Sequence, residues 1–185
     1  DNGAYEEELV GDVTPLCLAI KRGWDDVAHK MITAGADIQL TSPMLEEILN
    51  DAIRDSNCTI VQLCLECNAP VNKVNMNTII PRIFDTLTPL HRIAELLIGD
   101  ERTSLDAVED GLTPLSHSLI RGLEQLAIKL VTTNRVNVNH INPGSRGSQL
   151  ILAIKNGLYD AARVLLENNA DTKATNTLGE TPLIA

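Results

Sequence analysis

The chain has 185 residues, 44% of them hydrophobic and 22% charged, with a formal net charge of −10. That size and apolar content support a folded domain and exclude a disordered one. The acidic balance argues against nonspecific nucleic-acid binding and against attraction to anionic membranes, both of which need clustered lysine and arginine, and no apolar run reaches membrane-spanning length.

Aromatic residues are scarce, with one Trp, two Tyr and one Phe, so a core must be built from Leu, Ile, Val and Ala. Such side chains suit closely spaced helices better than a β-sandwich. Cys17, Cys58, Cys64 and Cys67 do not form a small secreted framework. They read as free thiols in a reducing compartment, cytoplasmic or nuclear. The sequon Asn57-Cys58-Thr59 is a chance match in such a setting.

The first segment, TPLCLAIKRG at 14–23, sets a pattern. Thr14 reads as a helix N-cap, Pro15 as a first helical residue and Gly23 as a turn. A second helix then runs to a left-handed stop at Gly35. In the same register Glu47-Ile48-Leu49 opens a second unit, with its turn at Ser56 and its stop at Asn68. Ile80-Pro81 opens a third, irregular unit, where Arg82 replaces the expected Leu and Glu101 the expected stop. TPLHRIA at 88–94 repeats the opening signature only 25 residues before Thr113. It is read as the cap of the third unit's second helix, because Leu90, Ile93, Ala94, Leu97 and Ile98 share one helical face. The rival reading starts a truncated unit at Thr88 and treats 76–87 as an insertion. Two clear copies follow, TPLSHSLIRG at 113–122 with a stop at Asn134, and SQLILAIKNG at 148–157 with a stop at Asn169. GETPLIA at 179–185 opens a further first helix, so the chain is expected to belong to a longer array.

Opening positions thus fall at 14, 47, 80, 113, 148 and 181, giving units of approximately 10–42, 43–75, 76–109, 110–144 and 145–177 and a partial unit 178–185. Leu16, Leu49, Leu115, Leu150 and Leu183 are the expected inward anchors of the first helices. In the second helices, Val27, Ile60, Ile93, Leu126 and Ala161 are expected in one buried layer, and Ile32, Leu65, Ile98, Val131 and Leu166 in the next.

A period near 33, TPL followed by Gly nine residues after the Thr, AGADI at 34–38 and NNADT at 168–172 together resemble the ankyrin repeat family. The resemblance covers about residues 10–185. The family's His after Leu is Cys17, Ser116 or Ile151 here, and His91 alone restores it. The resemblance implies an all-α solenoid of stacked helix-turn-helix units with projecting fingers. It also implies a non-catalytic protein–protein interaction scaffold or adaptor, binding a partner peptide or domain on its concave face and fingers. The alternative is an intramolecular array that positions or inhibits another domain of the same longer chain.

Candidate chemistry is thin. Cys64 and Cys67 in CLEC share a helical face, but a structural zinc needs four ligands and no second pair follows, so buried thiols are the better account. His29, His91, His117 and His140 are scattered, Ser116 and His117 diverge on their helix, and no enzyme, metal or cofactor is expected. NPGSRGS at 142–148 lacks the context of a phosphate loop and reads as a finger. Trp24 falls in register with Leu90, Leu123 and Leu158, which suggests packing between units. The most pointed feature lies at the inter-helix turns, where Lys21, Arg22, Arg54, Asp55, Arg121, Lys155 and Asn156 form a discontinuous row rich in cations. Favourable placement at helix C-termini explains such cations without any partner. The functional reading is a groove for an acidic or carboxylate-bearing peptide.

Overall fold

The computed structural model describes residues 15–33, 42–83 and 87–184. Thr14, Gly35, the AGADI stretch and Phe84 lie outside the described residues, as do the side chains of Cys17, Lys21 and Ile32. The chain divides into two compact units, residues 1–70 and 71–185.

In the first unit, α1 (Pro15–Lys21) and α2 (Asp25–Thr33) form one helix pair and α3 (Ser42–Arg54) and α4 (Cys58–Glu66) another. α1 packs on α2, α3 on α4, and α2 beside α4. α3 starts five residues before the predicted opening at Glu47, because Pro43 fits the first helical turn, where its missing N–H leaves no bond unmade. Leu16 and Leu49 are buried anchors as expected. Val27 is not: it is 42% exposed, and the neighbouring Ala28 takes the buried place. A small side chain there lets α2 and α4 approach closely.

In the second unit, α5 (Met76–Ile79) tightens into a 3-10 turn at Ile80–Arg82, and α6 (Pro89–Gly99) packs against both. α7 (Pro114–Ile120) pairs with α8 (Glu124–Thr132), and α9 (Gln149–Lys155) with α10 (Tyr159–Glu167). First helices meet first helices, α7 on α9, and second helices meet second helices, α8 on α10. α6 lies beside α8 and the 3-10 turn beside α7. Thr88 therefore opens a second helix, accepting from the His91 N–H at 3.3 Å. The third unit's first helix begins at Met76, four residues before Ile80, since Asn75 accepts from the Asn77 N–H at 2.9 Å and Pro81 cannot supply the amide that would continue an α-helix.

The predicted left-handed positions account for the turns. Gly23, Ser56, Gly122 and Gly157 between paired helices have φ of 68°, 58°, 70° and 69°, and the stops Asn68, Asn134 and Asn169 have 57°, 56° and 64°. α6 ends differently. Asp100 is extended there, and Arg135 donates to the carbonyls of Ile98 (3.4 Å), Asp100 (3.1 Å) and Thr103. Arg102 grips the Asp100 carboxylate through two bonds at 3.0 and 2.6 Å and holds its carboxyl below the usual range, with Arg135 adding to the effect.

Two fingers are formed in this unit. Asp110-Gly111, with φ of 50° and 77°, closes a tight hairpin between Glu109 and Leu112, as two consecutive positive φ values require. NPGSRGS forms the other finger: β1 (Ile141–Asn142) pairs antiparallel with β2 (Gly147–Ser148). Leu115 and Leu150 are buried, but Leu183, the predicted anchor of the partial unit, is 92% exposed. Residues 182–184 make a turn there. Leu166 is exposed as well, whereas its register mates Ile98 and Val131 are covered by the next pair.

Candidate interaction surface

The turn after α1 is fastened by Arg22 N–H to the Leu18 carbonyl, Gly23 to Ile20 and Trp24 to Ala19, at 2.9–3.0 Å. This pattern satisfies the last carbonyls of α1 and projects Arg22 and Trp24 outward. Trp24 is 53% exposed, which overturns its expected role as a packing residue; Leu90, Leu123 and Leu158 in the same register are buried. Its ring is covered by the Arg22 guanidinium, 5.6 Å from the centroid, a cation–π contact that keeps the indole on the surface.

The turn after α3 repeats the construction, with Asp55 donating to Asp51, Ser56 to Ile53 and Asn57 to Ala52. Asn57 then caps α4 through Ile60 N–H (3.1 Å) and reaches Asp25 Oδ2 on α2 (3.4 Å). Between the two helix pairs a cleft of about 400 Å³ remains open. Ile20, Ile48, Ala52 and Ile60 make its apolar floor, and Gly23, Asp51, Asp55 and Asn57 its polar edge.

The predicted row is not a string of unengaged cations. Arg54 pairs with Asp51 at 2.9 Å and with Asp55 at 3.5 Å on the surface. Arg121 donates to the Ile83 carbonyl at 3.2 Å, bridging to the preceding helix pair. Lys155 pairs with Glu180, and Asn156 caps its own helix by donating to the Leu152 carbonyl at 2.9 Å. Lys21 ends α1, with its side chain outside the described residues. The first unit holds Lys21, Arg22, Arg54 and Asp55, and the second Arg121, Lys155 and Asn156. In the second unit, a smaller apolar depression of about 210 Å³ lies at Ile154, Gly157, Leu158, Tyr159 and Ala162.

Cys58, Cys64 and Cys67 are free thiols. Burial pushes Cys64 up to about 12, with Cys67 adding to the rise, so it is an inert apolar filler at neutral pH. Ser116 is fully buried, bonded to Thr113 in a capping box, while His117 is half-buried elsewhere. Burial lowers the His117 pKa; Glu109 opposes that shift and Arg146 reinforces it. No helix among the described residues is long and apolar enough to cross a membrane.

Several structural residues gave no signal in the repeat pattern. Gln149, completely buried, donates to Ser116 (2.9 Å) and Thr113 (3.2 Å) across the α7–α9 seam. Glu124 accepts the backbone N–H groups of Asp160 (2.8 Å) and Ala161 (3.1 Å) on the next pair. Both lie one repeat from their partners, so a search for contacts at that separation could have found them.

Residues 89–176 match the family model described as ankyrin repeats in three copies. Ankyrin repeats are thus present over residues 89–176. Its fold is similar to the crystal structure of the ankyrin repeat domain of Bcl-3, described as a unique member of the IkappaB protein family: identity is 26%, the match spans 92% of this chain and 76% of that one, and the TM-score is 0.55. No curated protein matches the sequence. The ankyrin model's match starts at Pro89, the first residue of α6. Ankyrin repeats are in general protein-interaction modules and typically non-catalytic, so the turn ends and fingers are the surfaces to weigh.

Proposed function

We propose that the chain is a non-catalytic docking module of scaffold or adaptor type, working in the cytoplasm, whose protein partner engages the turn ends of the first unit. The observation that carries this reading is Trp24, more than half exposed beside an open cleft with an isoleucine floor. Exposed tryptophan next to a preformed apolar recess is the composition of an interface hot spot. Free thiols at Cys58, Cys64 and Cys67 support a reducing compartment. An acidic peptide is a poorer fit than the row of cations suggested, because Arg121 and Lys155 would each have to leave an acceptor within the chain.

The test is site-specific photo-crosslinking in cells from a benzophenone amino acid at position 24, with adducts identified by mass spectrometry. Adducts to a separate protein are expected, and Trp24→Ala should weaken that protein's binding by about 2 kcal/mol, roughly thirtyfold. Adducts only to other segments of the same longer chain would replace this reading with the intramolecular one. A Trp24→Ala variant that binds as tightly as the parent would remove the first unit's turn ends from the interface.

A further inference from the structure

We propose that the cleft between the α1–α2 and α3–α4 pairs receives an arginine side chain of the partner protein. This rests on the docking reading above and names the chemistry that the cleft selects.

Three observations converge. The first is charge: Asp51 and Asp55 both stand at the edge of the cleft, in a chain whose net charge is −10. The second is the backbone. α1 ends at Lys21 and α3 at Arg54, so two helix C-termini, each carrying partial negative charge, meet where Gly23 and Asp55 line the opening. A cation there gains from both dipoles. The third is the repeat itself. Where a left-handed residue joins the two helices of a pair, the residue before it is Arg22, Asp55, Arg121 or Asn156. In the second unit that residue is Arg121, which crosses to the Ile83 carbonyl of the preceding pair. In the first unit α1–α2 keeps an arginine there, Arg22, but α3–α4 holds an acid, Asp55, and the space between these two pairs stays open. The site where the second unit supplies its own arginine therefore offers acceptors and room in the first.

The aliphatic floor suits the three methylenes of arginine, and its planar fork suits paired carboxylates better than a lysine ammonium does. Arg54 is the resident competitor. Its contacts to Asp51 and Asp55 are two-thirds exposed on the arginine side, so an incoming guanidinium can displace it at little expense.

The probe is Nα-acetyl-arginine N-methylamide, titrated into the whole 15N-labelled chain and followed by the backbone amides of Gly23, Asp55 and Asn57. Saturable shifts are expected at these three amides. The uncharged citrulline analogue should bind about tenfold more weakly. Asp51→Asn combined with Asp55→Asn should weaken arginine by about tenfold without moving the unfolding midpoint, since exposed pairs contribute little stability. Should that double variant fail to fold, Arg54→Gln decides: freeing both carboxylates should tighten arginine binding by about threefold. Equal binding of citrulline, absence of saturation, or weaker binding to Arg54→Gln overturns the proposal. Photo-crosslinking from position 24 separates the two levels. A partner captured equally well by the Asp51→Asn, Asp55→Asn variant leaves the docking reading standing and removes the arginine, whereas no partner captured by the parent chain removes the docking reading.

Discussion

Replacing Glu124 should loosen a helix that Glu124 does not belong to. α10 begins after Leu158, which offers no side-chain acceptor, so the amides of Asp160 and Ala161 would lack a side-chain cap but for Glu124 Oε1 at 2.8 and 3.1 Å. An ordinary N-cap deletion costs about 1 kcal/mol, and a carboxylate near the positive end of a helix dipole adds about 0.3 to 1 kcal/mol. Glu124 is only partly buried, so water recovers some of the loss, and we expect Glu124→Ala to destabilise by about 1.5 kcal/mol, or about 3 to 6 °C in melting temperature. Glu124→Gln keeps an oxygen acceptor and loses the charge, so it should show about half that effect. Urea unfolding supplies the totals. Amide hydrogen exchange supplies the location: protection at Asp160 and Ala161 should fall before protection in α7 changes. The reasoning fails if Glu124→Ala lies within about 0.3 kcal/mol of the parent, or if Glu124→Gln is equally damaging.

Other perturbations have equally definite outcomes. Gly147 holds φ of 67°, and an added Cβ would sit 2.7 Å from Asn176 Cβ and 2.9 Å from Ile151 Cδ1, so Gly147→Ala should cost more than about 2 kcal/mol in urea unfolding. Gly122→Ala, with φ of 70° and nothing within 4 Å, should cost only the backbone strain of about 1 kcal/mol. Asp100 has its folded pKa below the ordinary 3.8, so its stabilising effect is complete above that value and disappears as pH falls through the lower, folded one. Thermal melts between neutral pH and strong acid should show a shallower acid limb for Asp100→Asn. Cys64, raised to about 12, should resist iodoacetamide at pH 8 in the folded chain and react once urea unfolds it, as read by peptide mass spectrometry.

How far the sequence discloses the fold depends on whether a residue acts locally. Gly23, Gly122 and Gly157 need a left-handed backbone that their own chemistry permits, and Asn68, Asn134 and Asn169 announce helix ends in the same way. Leu49, Leu115 and Leu150 are buried because helical periodicity places them inward. Trp24 defeats the same logic, since register predicts a leucine-sized slot and the indole instead lies under Arg22 on the surface. Register carried forward from Thr14 places the opening of α3 at Glu47, whereas Pro43 suits a first helical turn and the helix starts at Ser42. The cation row could be named from sequence, but its acceptors, Ile83 carbonyl and Glu180 among them, depend on which helix pairs adjoin.

An apolar seam of leucine, isoleucine and alanine favours stacking yet specifies alignment weakly, because such side chains accept many shifted arrangements. Bonds with direction are more selective. Within the second unit, Gln149 to Ser116, Glu124 to Ala161, Arg121 to Ile83 and Arg135 to Ile98 each join residues 33 to 38 apart. A slip by one helical turn would break all four together and leave a buried amide and several backbone groups unpaired. The irregular α6 shows the need most directly. It lacks the left-handed residue that ends its counterparts, and Arg135, from the segment after α8, closes it in their place. Its terminus is thus completed by the next helix pair, so alignment of these two helix pairs and termination of α6 are one event, and Arg135→Ala should perturb both.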